Sequence, residues 1–351
     1  MQIGTHLIML VRISSLIFWF GLSIICEAQY KRLELVLATP NKAIFSPDIS
    51  QFYMYTNRSF EGQPSKPWQG GKYGYVRNPK RTASGILYSK FHEGVDIRPI
   101  ERNSKGVPLD KVCSIASGKV MHASRSAGAS NYGRYVVIEH DWGYGKFYSL
   151  YAHLADISCQ VGQSVRPGTG IATLGYTGDG IDKTRAHLHL ELNLMISRNF
   201  GRWYRRHYVA PNKHGLCNGI NLAGIDISRL YKEHQKNPSI TLPQFIKTTN
   251  PYWKLLVPNK GMPLIMKSYP WLAKNMADAT NNPSWEITMS RSGIPLGISP
   301  HNKKVNSPTI SWVEYSATPH SWNTRSRLTG SKDKAKLTAS GLRFVQLLME
   351  K

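Results

Sequence analysis

Short runs of alternating apolar and polar residues, broken by Gly, Asn, Asp and Pro, fill residues 70–197. They include VCSIASGKVMHA (112–123), YVVIEH (135–140), KFYSLYAHL (146–154), GIATLGYTG (170–178) and AHLHLEL (186–192). A period of two with turn residues at these intervals predicts an all-β unit, and no helical period of adequate length interrupts it. The texture changes at residue 198. There 226–235 (DISRLYKEHQ) and 337–349 (LTASGLRFVQLLM) read as helices, while 285–289 and 309–315 read as strands. The expected fold is a mainly β domain over 70–197, followed by a mixed α+β extension over 198–351. Residues 29–69 mix LELVLA with Pro, Asn and Ser, and read as an N-terminal leader wrapped onto the rest.

Residues 1–28 have the layout of a secretory signal. Arg12 supplies the positive flank, ISSLIFWFGLSII (13–25) the apolar centre, and Cys26-Glu27-Ala28 small residues ahead of a cut before Gln29. The run is short for a hydrocarbon core of about 30 Å, and an uncleaved anchor is the competing reading. Export predicts a periplasmic or extracellular protein, with no stable membrane insertion once the signal is cleaved. No other long apolar run is present, which excludes a chain of membrane spans.

The formal charge of +24 then changes meaning. Outside the cytoplasm, an excess of cations points to anionic envelope polymers and away from nucleic acid. A solvated basic surface without a specific partner accounts for it equally well. Residues 198–351 hold 23 Lys and Arg against 7 Asp and Glu, +16, or two-thirds of the total. The apolar fraction of 41% excludes a disordered basic tail. After signal removal Cys113, Cys159 and Cys217 remain, enough for one disulfide or none, and no C-x-x-C pair suggests a structural zinc cluster.

Two short patterns carry candidate chemistry: His92-x-x-x-Asp96 and His187-Leu188-His189. If 186–193 is a strand, Ala186, Leu188, Leu190 and Leu192 face a core, and His187, His189, Glu191 and Asn193 share the other face. On a straight strand His92 and Asp96 would lie about 13 Å apart. Gly94, Val95, Ile97 and Pro99 argue against a helix, which leaves a turn hinged at Gly94 to bring imidazole and carboxylate together. In 147–154, alternation puts Ser149, Tyr151 and His153 on one face. Four histidines and one aspartate exceed what structural zinc needs and suit a catalytic ion with three protein ligands and an open position.

Taken in order, FHEGVDI (91–97), YAHL (151–154) and HLHLEL (187–192) resemble the LytM/lysostaphin-type zinc metallopeptidases that cut peptidoglycan peptides. SGKV (117–120), YVVIEH with the following Gly-Tyr-Gly, VGQ (161–163) and LGYTG (174–178) extend the resemblance over roughly 70–197. The resemblance implies LytM-like antiparallel sheets around an open groove, with His92, Asp96 and His189 holding one zinc ion per chain. It implies that His187 and His153 are the catalytic pair. His187 would be the base that activates water at the zinc and His153 the oxyanion stabiliser or proton donor, and the two roles are exchangeable. The implied substrate is peptidoglycan, with other anionic envelope polymers as further partners of the basic C-terminal region. A non-catalytic wall-binding protein, or an activator of other wall hydrolases, is the alternative. Tyr88 could add a hydroxyl near the site or be a rim tyrosine, and Glu191 could orient an imidazole or be a solvated carboxylate. Two departures from the family pattern touch the groove: Lys183-Thr184-Arg185-Ala186 replaces small, Gly-rich text, and 98–112 is longer than usual.

Overall fold

The computed structural model describes residues 31–278 and 281–350, so the signal-like segment 1–28 lies outside the described residues. Two hairpins open the fold: β1 (Arg58–Phe60) with β2 (Gln63–Ser65), and β3 (Gly74–Thr82) with β4 (Gly85–His92). Beyond them come β5 (Val95–Ile97), β6 (Lys111–Cys113), β7 (Gly118–Ser124), β8 (Arg134–Asp141) and β9 (Lys146–Ile157). Next are β10 (Ser164–Val165), β11 (Gly170–Leu174), β12 (Leu188–Met195) and β13 (Leu222–Ile225).

Strands β5 to β13 form one nine-stranded antiparallel sheet. The long β9 is its centre. It pairs with β8 along one side and, along the other, with β12 over 147–152 and with β11 over 154–157. On β12 the alternation sorts cleanly, with Leu188, Leu190, Leu192 and Leu194 entering the main core. His189, Glu191 and Asn193 turn to the opposite face, where Leu222, Met195, Tyr148 and Ala152 form a second, smaller cluster.

From residue 198 the chain supplies α1 (Phe200–His207), α2 (Ile227–Lys236), α3 (Leu242–Lys247), α4 (Leu264–Ser268), α5 (His320–Asn323) and α6 (Ala339–Leu348). Their starts are chemically marked. Asp226 caps α2 by accepting from the Arg229 amide, Thr241 and Gln244 form a capping box on α3, and Thr338 accepts from the Gly341 amide at α6. A second sheet has the order β16 (Pro295–His301), β15 (Ser284–Ser290), β14 (Pro251–Pro258), β17 (Thr309–Val313), and the hairpin β18 (Leu328–Ser331)–β19 (Lys334–Leu337) follows. The mainly antiparallel architecture with a later α+β region agrees with the expected fold class. The two expected helices and two expected strands beyond 198 are present as α2, α6, β15 and β17.

One hydrophobic core unites these parts. It runs from Leu33, Ile44 and Phe52 through the leucines of β12 to Trp253, Trp285 and Leu348. Trp253 and Trp285 are therefore interior residues, whereas Trp312 is 40% exposed. Cys113, Cys159 and Cys217 are free thiols. No helix among the described residues is long and apolar enough to cross a membrane.

Candidate metal centre

Three backbone devices bring the histidines together. Gly94 lets the chain turn from the end of β4 into β5, because a Cβ there would lie 2.3 Å from the Leu190 carbonyl oxygen. Antiparallel registry then sets Asp96 directly opposite His189. His189 also pairs with Ala152 of β9, so the next residue, His153, is a neighbour. His187 precedes β12 and is fixed by its amide, which donates to the Gly175 carbonyl at 3.2 Å.

His153 does not share the face of Ser149 and Tyr151, as simple alternation predicts. Ser149 and Tyr151 are hydrogen-bonded to each other in the core, and Tyr151 also accepts from the Ile115 amide. His153 has φ +64°, in the left-handed region, and the β8–β9 register shifts between Arg134 and Val136. This bulge sends Leu154 into the main core with Tyr151 and turns the imidazole into the groove.

His92 Nε2 lies 3.1 Å from Asp96 Oδ1 and 3.1 Å from His189 Nδ1, while His189 Nδ1 lies 2.9 Å from the same oxygen. One donor atom from each of these buried residues falls within 4.8 Å of the others. The remaining ring nitrogens are committed elsewhere. His92 Nδ1 donates to the Lys72 carbonyl at 2.7 Å, and His189 Nε2 is 2.8 Å from Glu191 Oε1. Glu191 in turn accepts from Tyr132 at 3.0 Å and from Asn193 at 2.9 Å. Two imidazoles and a carboxylate, each imidazole oriented by a carbonyl or carboxylate behind it, fit a divalent ion of the zinc type. The guanidinium of Arg77 donates to Asp96 and lies 3.0 Å from His92 Nε2, so the spot already attracts positive charge.

His187 and His153 stand beside this donor set, their rings 4.8 Å apart. His187 Nε2 lies 3.5 Å from Asp96 Oδ1, and its Nδ1 donates to the Arg185 carbonyl at 2.6 Å. His153 Nδ1 donates to the Thr177 carbonyl at 2.9 Å. A carbonyl can only accept, so both rings carry their proton on Nδ1 and leave Nε2 with a lone pair.

Burial is the largest influence on every member. It pushes His187 down to about 4 and His153 well below the usual histidine range, which keeps both neutral. Burial also opposes charge on His189, but its bonds to Asp96 and Glu191 prevail and lift it to about 9. For Asp96, desolvation is outweighed by His92, His187 and Arg77, and the carboxylate stays well below its ordinary value.

The set opens into a groove of about 590 Å³, walled also by Lys90, Phe91, Tyr132, Arg185, Arg325 and Ser326. All five histidine and aspartate positions named from the sequence meet there. Glu191 is in contact with His189, whereas Tyr88 lies under the Arg58 guanidinium, 37% exposed and outside the groove lining. His140 is interior, between the Ser117 carbonyl and the Ser149 hydroxyl. Arg77, Tyr132, Arg325 and the carbonyls of Lys72 and Thr177 carried no signal in the sequence, since only tertiary topology brings them near the histidines.

The fold and site thus define a β-sheet protein with a buried His-Asp-His donor set at a groove. A model of Peptidase family M23 matches residues 90–199, and this segment is similar to the LytM/lysostaphin-type zinc metallopeptidases. It is 35% identical over 117 residues to an uncharacterized metalloprotease of Haemophilus influenzae, an alignment covering 33% of this chain and 22% of that one. The chain thus spans about a fifth of the length of this curated relative. Among solved structures, it is similar to a zinc-containing peptidase from Vibrio cholerae, with 27% identity, TM-score 0.26, and coverage of 40% of this chain and 35% of that one. It is also similar to the catalytic domain of the antimicrobial peptidase lysostaphin from Staphylococcus simulans, with 28% identity, TM-score 0.24, and coverage of 36% and 82%.

Proposed function

We propose that this chain is an exported, zinc-dependent endopeptidase that hydrolyses peptide bonds of bacterial peptidoglycan. The observation that carries the reading is the convergence of His92 Nε2, Asp96 Oδ1 and His189 Nδ1 next to two neutral imidazoles with free Nε2 atoms. His92, Asp96 and His189 would hold one zinc ion. Such an ion supplies a Lewis acid for the scissile carbonyl and makes water acidic near neutral pH. The other roles belong to the chain. His187, whose Nε2 faces the Asp96 side of the donor set, is the base that takes a proton from water. His153, whose Nε2 is likewise free, takes that proton over from His187 and, once protonated, steadies the developing oxyanion or delivers the proton to the leaving amine. Burial serves this division, because imidazoles that were already protonated at neutral pH could accept nothing.

The test is mass spectrometry of fragments released from purified sacculi, with and without chelator. Peptide-bond cleavage that stops on chelation and returns with zinc is expected, and His189→Ala should lose both zinc and turnover. Stoichiometric zinc with no released fragments would leave sacculus binding as the activity, the reading of a wall-binding protein or activator. His189→Ala with full zinc and full activity would sink the assignment.

A further inference from the structure

Arg325 and Ser326 reach the groove from the far end of the chain, in the segment between α5 and β18. Both adopt left-handed backbone, φ +55° and +57°, a conformation that non-glycine residues hold only when their surroundings impose it. The surroundings do so here. The Ser326 amide donates to the Ser321 carbonyl at 3.0 Å, the Thr338 hydroxyl donates to the Ser326 carbonyl at 2.7 Å, and the Arg327 amide donates to the Thr324 carbonyl at 3.0 Å. The segment is built to present one side chain in one direction.

That side chain is a guanidinium with capacity to spare. Arg325 makes one ion pair, with Glu93, 2.7 Å from Nη2 to Oε1; its guanidinium also lies 6.0 Å from the centroid of the Phe91 ring, and the side chain remains 25% exposed. A guanidinium has five N–H donors in a fork shaped for two carboxylate oxygens, so one such contact leaves most of it unused. Two residues on, Arg327 is buried against the Phe344 ring and bonded to the Ser292 carbonyl, with no carboxylate among the described residues at bonding distance. Two cations therefore face one acid. On the same groove stand two further cations, Lys90 and Arg185. Glu93 itself lies between His92 and Asp96 in sequence, so whatever Arg325 grips is held one residue from the donor set.

On the reading of the chain as a peptidoglycan peptidase, we propose that Arg325 is a substrate-binding residue that grips a free carboxylate of the peptide, exchanging Glu93 for it. Peptidoglycan stem peptides carry such carboxylates, and the region beyond 198 thereby contributes specificity to a site whose chemistry lies before it. Ser326 stands next to the fork, able to add a hydroxyl bond.

The test measures equilibrium binding to full-length His187→Gln protein, which retains the groove and lacks the base. The probes are a synthetic stem peptide with its carboxylate free and the same peptide as carboxamide. The acid should bind about tenfold tighter, the scale of a hydrogen bond to a charged group. Arg325→Met should bring the two within twofold, Arg325→Lys should keep part of the preference, and Glu93→Gln should widen it. Equal binding of acid and amide to the parent protein, or a gap that survives Arg325→Met, overturns the proposal. A loss shared equally by both peptides also overturns it, because it marks a merely structural arginine. Failure of the peptidase reading is seen separately, as sacculi left intact by the unmodified protein while the acid-over-amide preference persists.

Discussion

At Glu191 a carboxylate that is 2% exposed keeps its charge, because His189, Asn193 and Tyr132 all meet it. Burial would raise its pKa, and the bond from His189 is the main influence that lowers it instead. The same bond determines which His189 nitrogen faces Asp96. Glu191→Gln keeps the size and removes the charge, so the imidazole loses its preferred orientation and basicity. Zinc affinity, measured by competition with a chromophoric chelator, should fall about 10- to 100-fold. Unchanged affinity would mean that Glu191 is a bystander. In the sequence this residue was visible only as the next same-face position after His187 and His189. Its neighbour Tyr132 was not visible at all, because 59 residues separate the two and only the sheet brings them to 3.0 Å.

Among the elements, the β4–β5 junction and the β9 bulge show why strand alternation located some site residues and misdirected others. Alternation held without a break from His187, just ahead of β12, along the strand, and it grouped His187, His189, Glu191 and Asn193 correctly. On β9 the left-handed His153 breaks the period, and nothing about a histidine announces φ +64°. The turn at Gly94 was legible because a straight strand would separate His92 and Asp96. Its physical cause, however, is the close approach of the β12 backbone. An alanine Cβ would stand 2.3 Å from the Leu190 oxygen and 2.8 Å from Glu191 Cγ. Gly94→Ala must therefore push β5 away from β12, carrying Asp96 off its position opposite His189. The expected cost is about 1–3 kcal/mol in denaturant unfolding, the usual range for overpacking, together with a loss of zinc affinity. A variant with wild-type stability and wild-type zinc binding would show that the junction yields without cost.

Across the whole molecule, the region after 198 is continuous with the sheet that carries the site. β13 pairs with β12 over Leu192–Met195, and without it a strand buried on both faces would become an open edge. Tyr269 adds a hydroxyl that accepts from the Met195 amide at 2.8 Å and donates to the Lys146 carbonyl at 2.7 Å, tying β12 and β9 to the later region. Phe245, Trp253, Trp285 and Leu348 lie in the same core as Leu188 and Leu190. The sequence showed a change of texture at 198 but not this continuity, since core membership across distant segments leaves no local periodicity. A fragment ending at residue 197 would expose both the β12 edge and the apolar floor beneath it. It should therefore be recovered as aggregate, or lack a cooperative unfolding transition, even with zinc present. The full chain should unfold in a transition that abolishes zinc binding and the near-ultraviolet signal of the later tryptophans together. A soluble 29–197 fragment with cooperative unfolding and full zinc affinity would show that the M23 segment stands alone, and that the +16 region is attached to it without supporting it.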